Sequence, residues 1–233
     1  MGTFSYFENT VENKFEQVRQ YNGGLAAVRR GDLYGYINRE KEVVIPILFE
    51  EVSPYFRKGL AYVKLNGKYG VINNKGEAVI PIKYDQINGV ECDPILVLEN
   101  DKWGMYDRKC NVIIPPKYDC IEEWVHIPRR RLFRVSLDDK FGIINKKGKE
   151  ITPIQYDLIC NFYEDMALVV KGSLYGFINT AGKEVIPPKY NKYAADNIFD
   201  ICFKNGYAKL QLLKTLYIYI DKEGNEYTRE PKQ

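Results

Sequence analysis

Histidine is nearly missing from this chain: 233 residues contain one, His126. A histidine-based metal site or a serine–histidine couple would have to rest on that single side chain, so neither is expected. Cysteine is sparse and badly spaced for chemistry. Cys92, Cys110, Cys120, Cys160 and Cys202 form no C-x-x-C pair and are odd in number, which fits neither a zinc knuckle nor a fully paired disulfide frame. They read as reduced thiols, buried as small hydrophobes. An excess of one charge is lacking too. Thirty-four Lys and Arg stand against 31 Asp and Glu, a net charge of +3, and the signs are interspersed, so no nucleic-acid or anionic-membrane surface is expected. Nowhere do 18 apolar residues run together, which excludes a membrane-spanning helix. The start, MGTFSYFENTVENK, has no basic head followed by an apolar run. A soluble cytoplasmic protein is expected, an exported form requiring a leader already removed.

What the chain has is apolar and aromatic residues, 45% and 14%, enough to bury a large core, and a repeat. An aromatic-acid pair recurs at Phe15-Glu16, Phe49-Glu50, Tyr84-Asp85, Tyr118-Asp119 and Tyr156-Asp157, with Tyr190-Asn191 in the sixth place. The intervals are 34, 35, 34, 38 and 34. An aromatic-glycine pair keeps the same spacing at Tyr34-Gly35, Tyr69-Gly70, Trp103-Gly104, Phe141-Gly142 and Tyr175-Gly176. So do Ile45-Pro46, Ile80-Pro81, Ile114-Pro115, Thr152-Pro153 and Ile186-Pro187. Three markers with one period define a tandem array.

The stretch from Leu60 to Asp85 shows what one unit is. Asn66-Gly67 is a two-residue hairpin signal, since both positions must accept positive φ. The hairpin sets Val63 opposite Gly70 and Ala61 opposite Ile72. Asn73-Asn74-Lys75-Gly76 then turns the chain into a third strand, on which Pro81 ends ladder donation. Applying the same register to the other units places Val28, Val97, Val135 and Val169 opposite Gly35, Gly104, Gly142 and Gly176. The five glycines are therefore expected to be gaps into which the cross-strand valine, and the neighbouring unit, fit.

The expected fold is all-β: a tandem array of about six three-stranded antiparallel β-meanders, open and superhelical. The alternative is a closed six-bladed β-propeller. Residues 1–14 read as an N-terminal cap, and 15–233 as one repeat domain with units near 15–48, 49–83, 84–117, 118–155, 156–189 and 190–233. The sixth unit departs from the pattern at Leu216-Tyr217-Ile218, as a terminal capping repeat should. The motif G-L-A-x-V-x-x-x-x-x-[YWF]-G-[YF]-I-[ND]-x-x-G-x-E-V-I-P-x-x-Y-D resembles the WG-repeat family of mainly bacterial proteins over residues 15 to about 228. Only Trp103 keeps the name-giving tryptophan. The resemblance implies a repeat scaffold and supplies no catalytic residues, metal or cofactor.

The acids Glu50, Asp85, Asp119 and Asp157 could line up as ligands, but an acid after an aromatic at a strand end is expected to accept hydrogen bonds from turn amides. Lys83, Lys117 and Lys189 read as a solvated face. The repeat-position aromatics read as core. The place that breaks the pattern is the longer segment of unit four, with Trp124, His126, Arg129, Arg130 and Arg131; tryptophan and arginine are enriched at binding hot spots. The expectation is a non-enzymatic scaffold that binds a partner protein there, for example as an effector inhibitor or immunity-type protein. The alternative is a carbohydrate or cell-envelope binding module using exposed tyrosines.

Overall fold

The computed structural model describes residues 15–123, 131–191, 201–213 and 216–231. They form six four-stranded antiparallel sheets and no helix, and none of the sheets closes into a barrel. The strands are Gln17–Val18 (β1), Ala26–Arg30 (β2), Leu33–Ile37 (β3), Val43–Phe49 (β4), Glu51–Val52 (β5), Leu60–Leu65 (β6), Lys68–Asn73 (β7), Ala78–Tyr84 (β8), Gln86–Asn88 (β9), Ile95–Glu99 (β10), Lys102–Tyr106 (β11) and Val112–Tyr118 (β12). They continue with Cys120–Glu123 (β13), Leu132–Leu137 (β14), Lys140–Asn145 (β15), Glu150–Tyr156 (β16), Leu158–Tyr163 (β17), Met166–Lys171 (β18), Leu174–Asn179 (β19), Glu184–Asn191 (β20), Phe203–Lys204 (β21), Tyr207–Leu213 (β22), Leu216–Asp221 (β23) and Glu226–Tyr227 (β24). Each sheet takes four strands consecutive in sequence. The expected three-strand meander thus gains a short fourth strand, cut from the segment after the aromatic-acid pair. The chain divides into two compact units, Met1–Pro116 and Lys117–Gln233, with the boundary inside β12. The N-terminal segment 1–14, read as a cap, lies outside the described residues.

In the first unit, Ala61, Val63 and Ile72 of the second sheet pack on Ala27, Tyr36, Ile45 and Phe49 of the first. From the opposite face Val71, Ile80 and Tyr84 pack on Ile95, Val97 and Tyr106 of the third. The second unit repeats this layering. Ala167, Val169 and Ile178 meet Ile143 and Tyr156, while Leu168, Val170 and Phe177 meet Ala208, Leu210 and Ile220. A strand buried on both faces reads as a continuous apolar run, and MALVVK of β18 does so. Burial of the apolar side chains is the main favourable term, at about 25 cal/mol per Å².

The expected register holds in all five hairpins: Val28, Val63, Val97, Val135 and Val169 lie opposite Gly35, Gly70, Gly104, Gly142 and Gly176. What fills the space over the glycine is not the valine, however. Tyr69 pairs with Tyr84 and Val71 with Ile80, so two steps on β7 face four on β8. The excess is a bulge at Pro81-Ile82-Lys83 that folds over Gly70. A Cβ on Gly70 would stand 2.6 Å from Ile82 Cγ1 and 2.7 Å from its Cα. The corresponding closest distances are 2.6 Å at Gly35, 2.7 Å at Gly104 and 2.8 Å at Gly142. Pro81 interrupts ladder donation rather than ending it: it sits in the bulge, where no ladder N–H is required, and pairing resumes at Tyr84. Because β4, β8, β16 and β20 are sheet edges, the bulge and proline also spoil an edge that could otherwise pair with another chain.

The aromatic-acid pair staples one sheet to the next. Glu16 accepts from the Gly31 amide at 2.9 Å, Glu50 from Gly67 at 3.1 Å, Asp85 from Asn100 at 2.9 Å and Asp119 from Asp138 at 2.8 Å; Asp157 accepts from Gly172. Each capped amide belongs to the following hairpin turn. From the preceding sheet, Lys68 pairs with Asp85, and Lys140 with Asp157. One carboxylate therefore touches two sheets. These acids act as turn caps, as expected. At the other end of the sheets, Asn73, Asn145 and Asn179 accept from amides two and four residues on, which closes the turns where Gly76 takes φ +83°.

Two neighbouring substitutions test the packing with opposite signs. Gly176→Ala would drive a Cβ into the Ile186 carbonyl and is expected to lower unfolding free energy by about 3 kcal/mol or more. Tyr175→Phe should leave stability equal or raise it by about 1 kcal/mol, because the Tyr175 hydroxyl is buried with no hydrogen-bond partner among the described residues and burial pushes it up to about 12. Urea denaturation reads both.

The staples also set the acid limb of stability. Lys68, and then the Asn100 amide, hold the Asp85 carboxyl below its ordinary value. The Gly206 amide and Lys222 do the same for Glu164, and Lys189 with Tyr190 for Glu226. A depressed folded pKa stabilises above the unfolded value, and the contribution disappears as pH falls through the folded one. The urea midpoint should stay level from about pH 7 to 5 and fall below about pH 4, with a shallower fall in Asp85→Asn.

Candidate functional site

Antiparallel order places the connections β5–β6 and β7–β8 at one end of a sheet and the β6–β7 hairpin at the other. The hairpin end is regular and spent on the staples. Variation collects at the opposite end, in the connections between a short first strand and a long second one. These are 53–59 in the second sheet and 89–94 in the third.

The first of these, SPYFRKG, is pinned at its base. Ser53 accepts the Tyr62 amide on its Oγ at 3.0 Å and the Tyr36 hydroxyl on its carbonyl at 2.7 Å. Phe56 is buried and its ring lies 4.8 Å from that of Tyr36. Arg57 and Leu60 exchange backbone hydrogen bonds around Lys58 and Gly59, both with positive φ. This framework holds out two side chains. The Arg57 guanidinium lies 4.9 Å from the centre of the Tyr55 ring and donates to its hydroxyl at 2.6 Å. Across from them, the 89–94 segment turns at Gly89, buries Val90 and exposes Glu91, whose carbonyl accepts from Arg108.

Between the two segments lies a cleft of about 470 Å³, lined by Asn22, Tyr55, Phe56, Arg57, Lys58 and Glu91. A smaller hollow of about 170 Å³ adjoins it, sharing Tyr55, Arg57 and Glu91 and reaching Tyr62 and Val90. Burial, and then Glu51, push the Tyr62 hydroxyl up, so it stays a neutral donor near neutral pH. The cleft offers an aromatic floor, two cations and one carboxylate. That suits recognition of a partner's polar and aromatic side chains. Among the described residues no group of three His, Cys, Asp or Glu could hold a metal.

The residues expected to bind are placed as follows. Trp124, His126, Arg129 and Arg130 lie outside the described residues; in sequence they fall between β13 and β14, the connection corresponding to 53–59. Arg131 is described: its Nε donates to Glu123 at 2.7 Å, in a partly exposed ion pair. Lys83, Lys117 and Lys189 are exposed, but Lys83 and Lys189 are ion-paired, with Glu99 and Glu226 at 2.8 Å, and each lies over the ring of the next tyrosine at 5.0 Å. Of the repeat-position aromatics, Phe49, Tyr84, Tyr118, Tyr156, Tyr175 and Tyr190 are core residues, whereas Tyr34, Tyr69, Trp103 and Phe141 of the aromatic-glycine pairs are only half-buried, which corrects the expectation that all are core. The cysteines differ from expectation. All five are free thiols, but Cys92 is exposed and the others are only half-buried, because they sit in connections, turns and short edge strands that are covered on one side. Burial pushes the thiols of Cys110, Cys120 and Cys160 up, away from the reactive thiolate. Sequence reasoning passed over the Tyr55–Arg57 pair. Its signal was a tyrosine and an arginine between Pro54 and Gly59, in a connection of ordinary length.

No curated protein matches the chain in sequence. Among solved structures, Hsv2 of Kluyveromyces lactis is similar at a TM-score of 0.34 and 9% identity, over 90% of this chain and 80% of that one. Hsv2 of Kluyveromyces marxianus gives 0.35 and 9%, over 90% and 71%. At that identity and score neither likeness bears on what this chain does. The model of the WG containing repeat matches five tandem stretches, residues 34–69, 69–103, 103–126, 141–175 and 175–212. With its aromatic-glycine pairs seated under their bulges in each of these stretches, the chain belongs to the WG-repeat family.

Proposed function

We propose that this protein is a non-enzymatic repeat scaffold that binds a partner protein at the connection end of its sheets. The observation that carries the reading is the Tyr55–Arg57 stack at the mouth of the 470 Å³ cleft. Binding energy at protein interfaces concentrates in a few aromatic and arginine anchors set beside a pocket. Here such an anchor stands on a connection fixed by Ser53, Phe56 and a tight turn, so little ordering entropy is lost on docking. Loops on a rigid framework are where binding residues collect. The arrangement favours binding over catalysis: the thiols of Cys110, Cys120 and Cys160 are shifted away from reactivity, and the repeated carboxylates are engaged with turn amides.

The test is co-purification from native lysate with the intact chain and with Tyr55→Ala/Arg57→Ala. A protein retained by the first and reduced at least about tenfold with the second is the expected outcome, since loss of a hot-spot pair exceeds about 1.4 kcal/mol. An identical set of retained proteins would dismiss this cleft as the binding site. Both substitutions alter side chains at the cleft mouth, and an unchanged melting temperature should accompany the loss.

A further inference from the structure

The sixth sheet breaks the layering in a specific way. Its inner face, with Ala208, Leu210, Ile218 and Ile220, packs on the fifth sheet. The fifth sheet presents Met166, Leu168 and Val170 to its successor. At the matching places the sixth sheet carries Tyr207 and Lys209, and alternation brings Tyr217 and Tyr219 of β23 to the same outer face. Lys204 pairs with Tyr207, and Tyr227 with Tyr219, which adds both to that face. The result is a sheet face of four tyrosines and two lysines, with buried Gln211 opposite Tyr217 and buried Asp221 opposite Tyr207.

Its geometry and charge narrow what it can hold. The Lys209 ammonium lies 4.4 Å from the centre of the Tyr217 ring, and the Tyr207 and Tyr227 rings meet edge to face at 5.9 Å. Tyr217, Tyr227, Lys204 and Lys209 are exposed. The one carboxylate on these outer positions, Asp221, is occupied: it accepts from the Glu223 and Asn225 amides, the Asn225 side chain and the Tyr227 hydroxyl. Lys204 and Lys209 set against Asp221 leave one net positive charge on an aromatic platform. Side chains two apart on a strand are roughly 6.7 Å apart, so Tyr217 and Tyr219 offer successive places along an extended chain.

We propose that this outer face binds an anionic polysaccharide, a chain of uronic-acid units. The C–H faces of the sugar rings lie on the tyrosines, tyrosine hydroxyls bond the sugar hydroxyls, and carboxylates meet Lys209 and Lys204. Tyrosine suits this because its ring is apolar while its edge is polar. A single-stranded nucleic acid would stack its bases on the same rings, and the thymidine arm of the test separates it from the polysaccharide. The site shares no residue with the Tyr55–Arg57 cleft, so either can fail without the other.

Electrophoresis of the intact chain through native gels containing polygalacturonate, neutral dextran or no polymer tests the proposal. Retardation by polygalacturonate alone is expected. It should fall roughly fivefold or more in Lys209→Gln and in Tyr217→Ala, losses of the size expected for a cation and a stacking ring, and persist in Tyr55→Ala/Arg57→Ala. In the intact chain, polygalacturonate should also shield tyrosine fluorescence from acrylamide, a readout independent of whether the variants fold. Unretarded migration with unchanged quenching would overturn the proposal. So would equal retardation of the folded variants, or preferential binding of a thymidine oligonucleotide lost in the same variants.

Discussion

In each of five hairpins an Ile-Pro or Thr-Pro segment comes so close to the facing strand that no Cβ fits beneath it. That approach is the constraint on which the rest depends. It requires glycine for space, since these five glycines keep ordinary extended backbone and their φ values are not left-handed. The bulge then supplies the proline with a place where no N–H is needed, and it turns the strand so that the following aromatic points into the core. Tyr84, Tyr156 and Tyr190 all arrive opposite the aromatic of the aromatic-glycine pair or beside it. One close contact therefore sets the position of three repeat markers at once.

The acid that follows the aromatic carries the order from sheet to sheet. Its carboxylate reaches an amide of the next hairpin turn, and at Asp85 and Asp157 a lysine of the preceding sheet as well. Exposed ion pairs of this kind contribute little singly. Their value here lies in geometry: each fixes a turn with positive φ, at both residues in Asn66-Gly67, Asn100-Asp101 and Asp138-Asp139 and at the glycine alone in Gly31-Asp32 and Gly172-Ser173. The hairpin end is thereby committed to structure, which leaves variation to the opposite end. The Tyr55–Arg57 cleft is found there, built on Ser53 and Phe56, both tied to Tyr36 of the previous sheet.

The framework also bears on why the sixth sheet differs from the fifth. The fifth sheet presents Met166, Leu168 and Val170 to its successor, whereas the sixth carries Tyr207, Lys209 and Gln211 at the matching places. Polar substitution of an outer face is the usual requirement of a terminal repeat. The choice of tyrosine over shorter polar residues is what gives that face a chemistry of its own.

Period, strand pairing and register were all legible in the residues. They depend on local chemistry: the two-residue turn at Asn66-Gly67 fixes which valine faces which glycine, and a slip of one residue would invert every side chain. The chemistry of the repeated acids followed from their place beside turns. Other features depended on contacts between segments far apart in sequence. The short fourth strands, such as Glu51–Val52, are too brief for any periodic signal and exist because the next hairpin offers an edge. The filler over each glycine is a bulge, and a bulge is a mismatch between two strands that neither strand records alone. The cleft, likewise, needs Tyr55 and Glu91 from different sheets to face one another, and only folding brings such residues together.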